Sequence, residues 1–175
     1  MAKKYRKRRP VSTEPFVAEI ESLSHEGRGI ARIDGKATFV DGALAGETVE
    51  MQYTYKRGKF DEGKVLNVIK AAAERVEPSC PHFGVCGGCS MQHMAVDSQI
   101  EHKQSILKEQ LLHFAETQPD EWLAPLQADL LGYRRKARLG VRYVHKKGRT
   151  LIGFREKHSN FLSFRAILLY DIKPT

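Results

Sequence analysis

No cysteine lies outside residues 80–89, no acidic residue occurs in the first ten positions, and a single tryptophan, Trp122, serves the whole chain. Each shortage excludes something. An odd number of cysteines gathered into ten residues cannot form the dispersed, paired framework of a small secreted domain, and points instead to a reducing compartment, the cytoplasm. The longest apolar run near the C-terminal end, Ala166 to Tyr170, is far below the roughly 18 residues that span a bilayer. No secretory pattern opens the chain either, so no membrane segment is expected.

The basic excess is uneven. Lys and Arg number 29 against 21 Asp and Glu, a net charge of +8, yet six of the basic side chains fall within residues 1–10. The remainder is close to balanced, so any nucleic-acid contact by the folded part must come from local patterning. Residues 1–13 are too charged to bury and lack periodicity; they read as a mobile arm attracted to polyanions, RNA above all. With 41% hydrophobic residues in 175, the rest can hold one domain or two small ones.

Residues 15–70 read as an all-β unit. Phe16 to Ile20 alternates in character, His25-Glu-Gly27 and Gly29 break the chain, and Ile30 to Ile33 resumes before the hairpin signal Asp34-Gly35. Strands over Ala37 to Val40, Thr48 to Tyr55 and Gly63 to Ile69 follow, separated by Asp41-Gly42, Gly46 and Lys56-Arg57-Gly58. Five short strands in so little chain suit a small closed or partly open barrel, which leaves no exposed sheet edge.

The three cysteines stand in Cys80-Pro-His-Phe-Gly-Val-Cys86-Gly-Gly-Cys89. Two glycines inside the tight CxxC let the backbone bend and aim three thiolates at one centre, as thiolate-held metal sites require. Iron–sulfur ligation and zinc both remain open on the residues alone. A zinc site would take a fourth ligand from His82 or His93, although the longer Cys80–Cys86 spacing is unusual for zinc modules, and His93 by itself reads as an ordinary histidine.

Ser98 to about Phe114 has helical periodicity, with Ile100, Leu107, Leu111 and Phe114 expected in the core and a capping box expected from Ser98 and Glu101. Pro119 and Pro125 bound a linker. Tyr133 to Arg149 then carries eight basic residues and no acid. Alternation places Ala137, Leu139, Val141 and Tyr143 on one strand face, expected to be buried, and aligns Lys136, Arg138 and Arg142 on the other. His145 to Gly148 reads as a turn and Leu151 to Phe154 as a partner strand. A cationic face without interleaved acid favours RNA contact over plain solvation.

The stretch Ser22-Leu-Ser-His25-Glu-Gly27-Arg-Gly29-Ile-Ala31, with Phe39-Val40-Asp-Gly42-Ala-Leu-Ala-Gly46-Glu47-Thr-Val49, resembles a TRAM domain, an OB-like RNA-binding barrel. Followed by the cysteine segment with Gly87-Gly88 and Gln92-His93, it is similar to the bacterial S-adenosylmethionine-dependent RNA uracil-5-methyltransferases, in particular those acting on 23S ribosomal RNA. The resemblance covers about residues 14 to 160. It implies an α+β chain: a five-stranded TRAM β-barrel over 14–72, an iron–sulfur segment over 73–95, a helix over 96–118 and the start of a central RNA-binding α/β domain over 119–160. It implies that Cys80, Cys86 and Cys89 are three of the four thiolates of a 4Fe–4S cluster. It also implies ribosomal RNA as partner, with no DNA and a monomeric state expected. The RNA contacts expected are Arg28, Arg32, Lys56, Arg57 and Lys59 on the barrel and Arg134, Arg135, Lys136, Arg138 and Arg142 beyond it.

Residues 161–175 leave the family's pattern, as a frameshift or early stop after residue 160 would; the alternative is a stand-alone, non-enzymatic RNA-binding protein of TRAM domain and metal-binding knuckle with a divergent end. The fourth cysteine and the Rossmann-like catalytic domain, which would bind S-adenosylmethionine, are expected to be absent. Uracil C5 methylation needs a nucleophilic cysteine, a base and a bound methyl donor. The cysteines are committed to metal in this reading, and Gly27 and Gly29 lie in a β context unsuited to a dinucleotide loop, so no catalytic or S-adenosylmethionine-binding residue is assigned and the polypeptide is expected to be inactive.

Overall fold

The computed structural model describes residues 11–12, 14–128, 131–159 and 161–162. The chain divides after Arg75 into two compact units. Residues 1–10 and 13 of the basic arm expected over 1–13, and nearly all of the out-of-pattern tail, lie outside the described residues.

The first unit is a sheet of six strands: β1 (Phe16–Glu19), β2 (Ser22–Leu23), β3 (Gly29–Ile33), β4 (Lys36–Asp41), β5 (Thr48–Lys56) and β6 (Asp61–Lys70), in the order β1-β5-β6-β4-β3-β2. The two ends of that order are consecutive in sequence. Ile20 donates its N–H to the Glu47 carbonyl at 2.9 Å, whereas Glu21 donates to Ile30 at 2.8 Å, so the chain changes hydrogen-bonding partner between adjacent residues. The six strands are thus the five expected, with the first bent in two to close the barrel and remove its edges.

Asp34 (φ 51) and Gly35 (φ 76) are both left-handed, the conformation a two-residue hairpin needs, and they join β3 to β4. β4 and β6 pair in parallel, while β5 and β6 pair antiparallel with irregularities at Thr48/Val49, Glu50/Met51 and Tyr53/Tyr55. Alternate residues fill the interior: Ala18, Ile20, Ala31, Val40, Ala43, Val49 and Met51 form the core, with Phe16, Ile33, Val65 and Val68 packed against it. Gly29 is part of this core rather than only a chain break. A Cβ there would meet Ala43 Cβ at 2.8 Å and Ile20 Cγ2 at 2.9 Å.

The second unit contains α1 (Val96–Ala115), the hairpin β7 (Gly140–Val144) and β8 (Arg149–Gly153), and the cysteine loop. Its helix corrects two expectations. It starts at Val96 after an extended Ala95, with no side-chain cap, so Ser98 already lies inside the first turn and forms no capping box. No helix residue is buried, and Leu107 (48% exposed) and Phe114 (86%) stand in solvent among the described residues instead of in a core. An apolar stripe is buried only where another element covers it.

The basic stretch is also corrected. Strand structure starts only at Gly140, so Lys136 and Arg138 are on no strand face. In β7–β8, Arg142 pairs with the buried Leu151, while Val141 pairs with Ile152 and Tyr143 with Thr150. Val141 (67%) and Tyr143 (52%) are exposed, as is Arg142, so the face expected in the core is not buried. The turn and partner strand are as expected, a short 3₁₀ segment His145–Lys147 ending on left-handed Gly148.

A candidate RNA-binding surface and the cysteine loop

On the barrel, cationic side chains lie on aromatic rings. The Arg28 guanidinium is 4.8 Å from the centre of the Phe39 ring, Lys56 Nζ is 4.2 Å from that of Tyr53, and the Arg57 guanidinium is 4.7 Å from Tyr55 and 5.2 Å from Phe60. Phe39 and Phe60 meet edge to face at 5.4 Å. The Arg28 and Arg57 guanidinium groups thus lay a flat face on a ring while the Lys56 ammonium sits over one as a point charge, and each keeps donors directed away from the ring, an arrangement suited to phosphate.

The local pairing explains how these groups converge. In β4, Thr38 and Val40 point inward and Phe39 outward; in β6, Asp61 and Gly63 point inward and Glu62 outward. Tyr53 faces Gly63, but the bulge that follows shifts the register, so that Tyr55 faces Glu62, which is also the partner of Phe39. One extra residue therefore turns Tyr55 onto the outer face. Phe39, Glu62 and Tyr55 form a single row across three adjacent strands.

Several of the cations have carboxylate partners. Arg57 Nε donates to Glu62 at 3.1 Å, Arg28 to Glu26 at 2.7 Å, and Arg32 lies 3.6 Å from Glu21 with both side chains largely in solvent. Lys59 is exposed. Lys36 has no signal in the sequence that marks it; it donates to the Arg57 carbonyl at 2.6 Å and to the buried Asp61 at 2.7 Å, and Asp61 also accepts from the Arg57 N–H at 3.0 Å. The loop carrying Arg57 is thereby anchored. Tyr53, Tyr55 and Phe60 are not among the sequence-based candidates, although aromatic residues interleaved with Lys56, Arg57 and Lys59 are a readable signal.

A further residue outside those candidates is Glu47, fully buried at the end of the β4–β5 connection. It accepts from the N–H groups of Leu44 (2.8 Å) and Ala72 (3.3 Å), and from Arg75 through both Nε and Nη2 (2.7 Å for the latter). Arg75 also donates to the Gly42 carbonyl at 2.7 Å. Burial pushes the Glu47 carboxyl up, but Arg75 and the two amides outweigh it, and the group sits below its ordinary value.

In the second unit, Arg134, Arg135, Lys136, Arg138 and Arg142 are all exposed. The first four precede β7 in irregular chain, and Arg134 lies 6.0 Å from the Tyr133 ring.

The cysteine loop is held by the segment after β8. Gly87 donates to the Arg155 carbonyl at 2.8 Å and Lys157 to that of Val85 at 2.9 Å, which makes Cys86 and Glu156 an isolated antiparallel bridge. A Cβ on Gly87 would lie 3.0 Å from the Arg155 carbonyl oxygen, a contact so tight that the paired backbone would have to shift to admit it. Gln92 accepts from the Cys80 N–H at 3.2 Å, and Phe83 stacks against the buried His93 at 5.1 Å with Lys157 Nζ 5.2 Å from its ring centre.

All three thiols are free and half-buried. Burial, and then the neighbouring Cys80 and Cys86, push the Cys89 thiol up, against the pull of Lys157 and Arg134. The Gly88 N–H points at Cys86 Sγ at 3.4 Å. The loop thus brings the thiols near one another, but among the described residues no three Cys, His, Asp or Glu side chains are arranged as a ready ligand group. No helix among them is long and apolar enough to cross a membrane.

Residues 16–66 match the TRAM domain model. The chain is 55% identical over 158 residues to the 23S rRNA (uracil(1939)-C(5))-methyltransferase RlmD of Alcanivorax borkumensis, covering 90% of this chain and 36% of that relative. It is 56% identical over 158 residues to the protein of the same name from Nitrosococcus oceani, covering 90% and 35%. For that from Francisella tularensis subsp. novicida the identity is 53% over 150 residues, covering 85% and 33%. The chain thus carries a TRAM domain and resembles the 23S rRNA (uracil-C5)-methyltransferase family along nine-tenths of its own length, spanning about a third of the length of those relatives.

Proposed function

We propose that these 175 residues are the RNA-recognition and iron–sulfur portion of an S-adenosylmethionine-dependent methyltransferase that forms 5-methyluridine in 23S ribosomal RNA. The observation that carries the RNA part is the set of cations laid on aromatic rings around a TRAM barrel. In this reading Arg28, Arg57 and Lys56 bind phosphate from the barrel, with Arg32 and Lys59 at its margin. Arg134, Arg135, Lys136, Arg138 and Arg142 add a second basic patch.

Cys80, Cys86 and Cys89 would hold a 4Fe–4S cluster, a group whose usual ligands are thiolates. The donor set fits in kind: three thiols on one short loop, with a backbone amide already directed at Cys86 Sγ. Bound there, the cluster would supply a rigid cross-link for a loop that has few buried apolar neighbours of its own. The chain's own contribution is to hold the loop by Arg155 and Lys157 backbone pairing and to keep Phe83 packed on His93.

The test is binding of a 23S ribosomal RNA fragment by fluorescence anisotropy across a salt series. Log affinity should fall linearly with log salt, and neutralising Arg135, Lys136 and Arg138 together should flatten the slope by roughly one unit for each phosphate no longer neutralised. An unchanged slope removes that segment from the interface. For the metal, anaerobic reconstitution should give iron and sulfide with a broad visible absorbance that Cys86→Ser abolishes. Zinc at one equivalent with no iron uptake overturns the cluster assignment.

A further inference from the structure

The charged groups explain attraction to any polyanion, but not the aromatic row. Tyr55, Glu62 and Phe39 lie side by side on the outer face of three adjacent strands, with Phe60 edge-on to Phe39. Strands are spaced by about 4.8 Å, so Tyr55 and Phe39 are roughly 10 Å apart across the sheet. All three rings are partly exposed. The bulge after Tyr53 is what keeps Tyr55 outside: without it, strict alternation would put Tyr55 on the same side as Tyr53 and Met51.

Arg57 lies between Tyr55 and Phe60 and is held there by Glu62 at 3.1 Å; Arg28 covers Phe39. Planar guanidinium groups on rings occupy the kind of space a nucleobase occupies when it stacks. Duplex RNA offers no free base face to such a row, whereas an unpaired strand does. We propose that the outer row of Tyr55, Phe60 and Phe39 is a stacking platform for unpaired RNA bases. Arg57 and Arg28 swing from the rings to the flanking phosphates, and Glu62 holds Arg57 in place until RNA arrives. This rests on the RNA-binding reading and narrows it from RNA in general to single-stranded segments.

The experiment uses the full 175-residue chain with fluorescein-labelled single-stranded oligouridine and a hairpin duplex of equal phosphate count. Tyr55→Leu should weaken binding of the single strand about tenfold, the effect of removing one stacked base, with duplex binding and the salt slope nearly unchanged; Tyr55→Phe should retain the affinity. Glu62→Gln, which releases Arg57 without touching a ring, should tighten binding of the single strand and steepen its salt slope by roughly one unit. Equal weakening for single strand and duplex in Tyr55→Leu, or none for either, overturns the platform while RNA binding stands. No binding of either RNA at low salt would sink the RNA reading itself.

Discussion

The two units on either side of Arg75 use their apolar residues in opposite ways. Among the described residues, eight of the ten buried hydrophobic side chains, from Ala18 to Met51, lie in the barrel, and only Met94 and Leu151 lie beyond it. Beyond it, Phe114, Leu123 and Leu126 are 86%, 73% and 105% exposed. The barrel closes on itself because its first strand pairs at both edges, so every strand finds a neighbour and one continuous core results. The second unit has a helix, a hairpin and a loop tied by backbone bonds, and its order rests on hydrogen bonds more than on burial. Apolar burial at about 25 cal/mol per Å² is what offsets chain entropy, so substitutions should be felt strongly in the first unit and weakly in the second.

The largest effect is expected from Glu47→Ala. It leaves Arg75 and the amides of Leu44 and Ala72 without their acceptor in a buried setting, a change that typically costs about 3–5 kcal/mol. Urea unfolding should show a lower midpoint at unchanged slope. A shift as small as that of a surface variant would break the contrast between the units.

The same carboxylate makes the barrel sensitive to acid. Its folded-state value lies below the ordinary 4.5, so the stabilisation is present above that ordinary value and is lost as pH falls through the lower folded one. Thermal melts should therefore hold steady down to about pH 4.5 and fall below it, and Glu47→Gln should remove that component. A melting temperature that began to drop well above about pH 5 would point to another group.

A smaller effect is expected from Gly29→Ala, where the new methyl meets Ala43 and Ile20 at distances no real Cβ tolerates; overpacking of this kind costs about 1–3 kcal/mol. At the bottom of the scale, Phe114→Ala should change stability by less than about 0.5 kcal/mol, as exposed positions do, and should improve solubility. A large destabilisation there would mean that the helix is covered after all.

Much of the barrel is legible in the sequence because local rules govern it: alternation marks the strands, and Asp34-Gly35 can serve only as the tight turn it forms. The row of Tyr55 and Phe39 is not legible, since alternation alone puts Tyr53 and Tyr55 on one face and a bulge is decided by pairing with Gly63 and Glu62. Glu47 stands in the TRAM-like stretch with no local sign of its burial, which depends on Arg75, distant in sequence, folding onto it. Beyond the barrel, periodicity correctly marks a helix and a hairpin, but whether Phe114 or Val141 is buried depends on what covers them, which a local pattern cannot encode. The cysteine loop is legible as a cluster of thiols, whereas its attachment to Arg155 and Lys157 is a long-range pairing.

Hydrogen exchange of the full chain, measured by mass spectrometry with and without a 23S ribosomal RNA fragment, tests the central claim most directly. Peptides spanning residues 53–62 and 28–39 should exchange more slowly when RNA is bound, while barrel core amides at Val49 and Met51 stay slow in both states. RNA that binds without slowing exchange in either of those segments would contradict the placement of RNA recognition on the barrel.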